Sequence, residues 1–339
     1  MRKSFLRPVL HVTAFCLALL IAVALAGHYL MPHSNRYLSG YTAGGILGED
    51  FDTIDVLVMG DSNAAQGISP MEWYNAYGIT GYTYGSGWLT VYSIYYRLQN
   101  ILKEQAPKVV VLGTGTVYSK RGNETYLQCA LGDITDELFP LLRFHDNWKY
   151  LTLDNMLEEH DYSWRDANKG YTPITEVSAY TGGSYMYNPD TPPEEIPLLA
   201  RLYLDRIVTL CRDNGCELLL ITVPTVSWSM ARHNGIRDYA EQQGLTYIDY
   251  NLDSENPGID WRTDTPDSGA HLNVLGARKL SQALGKVLAD SGQIPDHRGQ
   301  PGYEDWDADA QSYLATMEQA IPENEAKAAA QLEALGQTA

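Results

Sequence analysis

Two short loops, far apart in the sequence, carry the groups that make a serine hydroxyl reactive. Ser62 closes the triplet Gly60-Asp61-Ser62 at the end of an apolar run, and His271 lies within Asp267-Ser268-Gly269-Ala270-His271-Leu272-Asn273. A serine hydroxyl is a weak nucleophile unless an imidazole takes its proton, and the imidazole needs a carboxylate to fix its tautomer. The order in this chain supplies Ser62 as nucleophile, His271 as base and Asp267 as orienting carboxylate. Each loop alone has a plainer reading. Asp61 or Ser62 can serve as a helix cap, and a lone loop histidine as a surface residue. Together, the two loops favour chemistry.

The flanking elements fit that use. Asp55–Met59 is a nearly continuous apolar run, as expected of a strand buried on both faces, and Gly60 ends it with a turn residue. Ser62 then lies on the loop leaving the strand's carboxyl end, where open α/β sheets bind ligands. From Asn273 onward, Val274, Leu275, Ala277, Leu280, Leu284, Val287 and Leu288 recur at helical spacing. Asn273 is therefore the expected cap, and His271 stands on the loop before the helix, free to face a pocket.

The strand-Gly60-Asp61-Ser62 start and the Asp267…His271-Leu272-Asn273 end resemble the first and last sequence blocks of the SGNH/GDSL hydrolase superfamily, over roughly Asp52 to Leu288. The resemblance implies a flavodoxin-like three-layer α/β/α domain with a mainly parallel sheet. It implies Ser62 as nucleophile and His271 as base, with an oxyanion hole made by the N–H groups of Ser62 and of Gly85 in Tyr82-Thr83-Tyr84-Gly85-Ser86-Gly87. The chain departs from the pattern twice. After the strand Lys108–Leu112 the family's Gly-x-Asn-Asp reads Gly113-Thr114-Gly115-Thr116, without the asparagine that completes the oxyanion hole. The family's aspartate lies three residues before the histidine, whereas Asp267 lies four before His271, with Asp264 as a more distant substitute. Such departures resemble those of membrane-anchored relatives similar to envelope carbohydrate O-acyltransferases and to the extracellular protein of teichoic acid D-alanylation.

The first residues set the compartment. Arg2, Lys3 and Arg7 precede a run from Val9 to Met31 with no acidic residue, Lys or Arg, long enough to span a bilayer. Positive-inside bias puts the N-terminus in the cytoplasm and the remainder outside. The alternative is secretion after cleavage near Ala26, since Ala24-Leu25-Ala26 has the small residues of a cleavage site. The net charge is −18, and no acidic residue precedes residue 34, so the part beyond it carries −21. An acidic surface of that strength argues against a nucleic-acid partner.

Cys211 and Cys216 flank a helix-to-strand turn and read either as a short-loop disulfide or as two thiols. No Cys/His spacing reads as a metal site. Gly85-Ser86-Gly87-Trp88 is a fragment of a dinucleotide fingerprint, with Thr90 where the third glycine belongs. No cofactor is expected.

Strands are predicted at Asp55–Met59, Ile79–Tyr84, Lys108–Leu112, Glu217–Val223 and Thr246–Tyr250. Helices are predicted near Tyr92–Glu104, Pro197–Asn214, Ile236–Gln243 and Val274–Asp290. Three regions follow: 1–33 as cytoplasmic terminus and anchor, 50–295 as the α/β domain, and 296–339 as an acidic tail expected to pack loosely. Within the domain, 117–193 loses periodicity and reads as an insertion over the active-site end. Arg143, His145 and Trp148 in it are candidate substrate-binding residues, with a surface amphipathic turn as the alternative. The whole predicts an exported, membrane-anchored serine esterase or O-acyltransferase acting on acyl esters of a cell-envelope carbohydrate. The competing reading is a non-catalytic module of the same fold that binds a glycan or a membrane acyltransferase partner.

Overall fold

The computed structural model describes residues 2–40 and 42–338, with side chains described for 7–40 and 42–336. The side chains of Arg2 and Lys3, on which the orientation of the N-terminus partly rests, lie outside that set. Helix α1 (Arg2–Leu30) contains a stretch, Arg7–Leu30, long and apolar enough to cross a membrane, and none of its most apolar window is packed against the rest of the molecule.

Beyond α1, strands and helices alternate. β1 (Val56–Gly60) leads into the short helices α2 (Ser62–Gly67) and α3 (Pro70–Tyr77), then β2 (Gly81–Gly85), α4 (Val91–Ile101) and β3 (Val109–Gly113). After α5 (Tyr126–Leu138), the four-residue α6 (Pro140–Arg143) and α7 (Leu198–Asp213) come β4 (Glu217–Thr222), α8 (Met230–Gln243), β5 (Thr246–Asp249) and α9 (Val274–Asp290). All four strand pairings are parallel and the order is β2-β1-β3-β4-β5. That order defines a flavodoxin-like doubly wound α/β fold.

Strand periodicity explains why both faces are covered. Leu57, Met59, Val110, Leu112, Leu218 and Leu220 pack on one face with α4 and α7. Val56, Val58, Val109, Val111, Leu219 and Ile221 pack on the other with Leu280, Leu284 and Leu288 of α9. A parallel strand buried on both sides has no polar face to show, hence the continuous apolar runs.

Two expectations need correction. The acidic C-terminal segment is not loosely packed: α10 (Glu304–Thr338) buries Trp306, Ala310, Tyr313, Met317 and Ala320 against the domain. These recur at spacings of three and four, a core-facing stripe diluted by acidic residues on the outer face. The fully buried Lys169 Nζ fastens it, reaching Glu49 Oε1 (2.9 Å) and Asp309 Oδ2 (2.7 Å) 4.3 Å from the centre of the Trp306 ring. The 117–193 insertion is also not uniformly irregular, since α5 opens with a capping box formed by Thr125 and Gln128. Cys211 and Cys216 are unlinked thiols, and burial pushes the Cys211 thiol up to about 12.

Candidate active site

Ser62 is the first residue of α2, directly after β1, and Asp61 caps that helix through its Oδ1, which accepts from Asn63 N–H at 3.0 Å. The cap and the hydroxyl are thus separate jobs on adjacent residues. As an N-terminal amide of a helix, the Ser62 N–H has no intrahelical acceptor and points where an anion is favoured. The site lies between the carboxyl ends of β1 and β3, where the winding of the sheet reverses direction.

His271 arrives from the loop between β5 and α9. Its Nε2 lies 2.9 Å from Ser62 Oγ, and its Nδ1 lies 2.6 Å from Asp267 Oδ2. A carboxylate accepting from Nδ1–H leaves Nε2 as an acceptor for the serine proton, the tautomer that nucleophilic attack requires. Burial works against ionisation of Asp267, but the hydrogen bonds and charge of His271 outweigh it and hold the carboxyl below its ordinary range.

The extra residue between Asp267 and His271 is absorbed by two consecutive left-handed residues, Ser268 (φ 60°) and Gly269 (φ 94°). They tighten the loop until Asp267 Oδ1 also accepts the His271 N–H at 2.9 Å. Thr265 Oγ1 accepts from Gly269 N–H at 2.7 Å, and Asn273 caps α9 at Leu275 and Gly276, so the loop is held at both ends. The asparagine cap was legible in the sequence; Thr265 was not, because a threonine two residues before an aspartate carries no motif. Asp264 does not approach His271. It is buried, with Oδ2 2.5 Å from Lys279 Nζ and accepting the Asp260 N–H.

Gly85 ends β2 in register with Gly60, beside the strand that leads into Ser62, and the Ser86 N–H donates to the Gly60 carbonyl. Across the site, Gly115 occupies the position of the absent asparagine. A Cβ there would stand 2.8 Å from Asp61 Oδ2, so a side chain at 115 would require that carboxylate to move. Burial raises the Asp61 carboxyl above its ordinary value, against the lowering effect of the Asn63 N–H and of His271. Asn63, next to Ser62, keeps a buried Oδ1 without a hydrogen-bond partner. Sequence reasoning singled out neither residue as part of the site.

The second half of the insertion does reach this end of the sheet. The Thr172 N–H donates to the Ala65 carbonyl in α2, the Val274 N–H to the Ile174 carbonyl, and the Ser268 N–H to the Ser178 carbonyl at 2.9 Å. Beyond it lies a cleft of about 520 Å³ that includes Tyr180, Tyr185 and Trp261 among its walls, with Asn251, Asp253 and Asn256 as polar groups. Tyr180 joins it to the His271 loop, its N–H donating to the Trp261 carbonyl and its Cβ packing near Gly269.

Arg143, His145 and Trp148 are elsewhere. Arg143 lines a cavity of about 200 Å³ with Tyr84, Arg97 and Glu137, while His145 and Trp148 are exposed on a 3₁₀ segment, His145–Tyr150, that packs against α1. The structure shows no contact between them and Ser62, His271 or Asp267. A cluster of cation, imidazole and rings has the composition of a binding site, but its neighbours decide what it faces.

The chain is similar to solved structures of esterases and lipases. A GDSL-like lipase from Bacteroides thetaiotaomicron is 14% identical, with 70% of this chain and 88% of that one covered and a TM-score of 0.35. A family 3 carbohydrate esterase of Clostridium thermocellum is 15% identical, with coverages of 70% and 96% and a TM-score of 0.37. No family model matches the chain, and no curated protein matches it either. At that similarity, chemistry has to be assigned from this chain's own side chains.

Proposed function

We propose that the protein is an exported, membrane-anchored serine esterase or O-acyltransferase acting on acyl esters of a cell-envelope carbohydrate. The observation that carries this reading is the continuous relay from Ser62 Oγ through both nitrogens of His271 to Asp267. Ser62 attacks the ester carbonyl as His271 Nε2 takes its proton, giving a tetrahedral oxyanion held by the N–H groups of Ser62 and Gly85. His271 then returns the proton to the leaving alcohol, and an acyl-Ser62 intermediate remains. Water completes hydrolysis; a carbohydrate hydroxyl completes transfer. The rings of Tyr180, Tyr185 and Trp261 support a sugar substrate, since aromatic faces pack on the apolar faces of pyranoses while Asn and Asp take hydroxyls.

The second reading, a non-catalytic module that binds a glycan or a membrane partner, is favoured by Gly115, which leaves the oxyanion hole one donor short of the family pattern. One experiment separates the two. A serine-directed fluorophosphonate should label the protein on Ser62, and Ser62→Ala should abolish both labelling and ester turnover without loss of fold. Unchanged labelling in that variant would sink the enzymatic reading.

A further inference from the structure

Between α5 and the bridge that pairs Ser34 with Asp161, the chain leaves large apolar side chains in the open. Phe139, Leu142, Trp148, Tyr150, Leu153 and Leu157 are all exposed, the last two to 80% and 84%. A cluster of this kind marks an interaction surface. Its position says with what. The segment is tied to the end of the membrane-length helix: Asn147 Nδ2 donates to the Leu30 carbonyl at 2.8 Å, and His160 Nε2 bonds the His28 carbonyl at 2.9 Å. Both α6 and the His145–Tyr150 segment pack on α1.

A helix that spans the bilayer puts its last turn at the water boundary, and whatever is clamped to that turn is held at the same level. We propose that residues 139–157 rest on the outer face of the lipid bilayer. Trp148 and Tyr150 sit at headgroup depth, where such rings concentrate, and Phe139, Leu142, Leu153 and Leu157 enter the acyl boundary. Only Arg143 and Lys149 in this stretch are basic, against Asp146 and Asp154, so the attraction is apolar and tolerates salt. A protein partner or a second copy would have to displace lipid that α1 itself brings to the place. The inference rests on α1 being a retained membrane span.

The test uses the full chain in phosphatidylcholine nanodiscs, with Cys16→Ser and a single added cysteine carrying an environment-sensitive fluorophore. Leu153→Cys and Leu157→Cys are read against Lys286→Cys on α9, which covers the opposite face of the sheet. All three positions are exposed, so the substitutions leave the core untouched. Lipid doxyl-labelled near the headgroup should quench the labels at 153 and 157 several-fold more than the label at 286, at low and high salt alike. A chain retained in the discs but quenched no more at 153 and 157 than at 286 overturns the docking and leaves the anchor standing. A chain released from the discs overturns the anchor, and the docking with it. Self-quenching of the 153 label between two chains in one disc, without lipid quenching, overturns it in favour of a second copy.

Discussion

Asp267 and Asp264 are three residues apart and differ in every contact that matters for chemistry. Loss of the orienting carboxylate in a serine triad costs about 10⁴ in kcat, roughly 5 kcal/mol of transition-state stabilisation. Asp267→Asn should show a loss of that size, close to that of His271→Ala, in steady-state ester turnover. Asp264→Asn should leave kcat within about tenfold and lower thermal stability instead, because it takes the buried carboxylate away from the half-exposed Lys279 ammonium. The opposite ranking would reassign the two. Asp61 offers a test through pH. Its raised carboxyl means the folded chain holds that proton to higher pH than the unfolded chain does, so this group's contribution to stability falls as pH rises through the window between the two values. Asp61→Asn keeps the helix cap and never ionises. Its Tm should exceed that of the wild type at pH 8, with the margin shrinking as pH falls; a variant that is less stable at pH 8 would contradict this.

Among the elements, α10 shows how much a helix can hide in its composition. Lys169→Met leaves Glu49 and Asp309 facing each other without their shared cation, which should destabilise the fold by about 3–5 kcal/mol. Trp306→Ala removes the ring packed against Tyr74 and Lys169 at a similar cost of roughly 3–5 kcal/mol. Both should appear as lowered urea midpoints, and early protease cleavage within α10 would show which part loosens first. Strands β1, β3 and β4 were legible in the sequence because a strand buried on both faces reads as an apolar run, and α9 because its cap and its stripe both announce themselves. The short helix α3 was not: it runs only eight residues, from Pro70 to Tyr77 before the Gly78 cap, too few for a period to emerge. The pairing of Asp267 with His271 was legible in the sequence, but its geometry depends on Ser268 in a left-handed conformation that serine seldom adopts, and nothing in the residue type predicts it. Arg143, His145 and Trp148 show the converse, since composition names a kind of site and only packing says where it faces.

For the whole molecule, the question is which side of a membrane carries the domain. With α1 spanning and its basic end inside, protease added to sealed cells or spheroplasts should digest the chain from Asp52 onward, and full protection would reverse the orientation. The cleft beside the His271 loop makes a separate prediction about substrate. Trp261→Ala should raise KM for an acylated oligosaccharide by about tenfold, on the order of 1.4 kcal/mol, and leave KM for a small aryl acetate unchanged. Equal effects on both substrates would place the sugar elsewhere.

The last structural feature is the far end of α10. Asn324 Nδ2 donates to the Thr175 carbonyl at 2.7 Å, and Lys327 reaches the Thr175 hydroxyl. The same segment, through Ile174 and Ser178, holds the backbone of Val274, Thr265 and Ser268 on either side of His271. The His271 loop is therefore braced by residues that leave the ribosome well after His271 does. A nascent chain halted before Pro322 already contains Ser62, Asp267 and His271, yet it lacks the brace that holds the histidine loop. Ser62 should then stay unreactive toward a fluorophosphonate in such a truncated chain and gain reactivity once the Asn324 turn has been added.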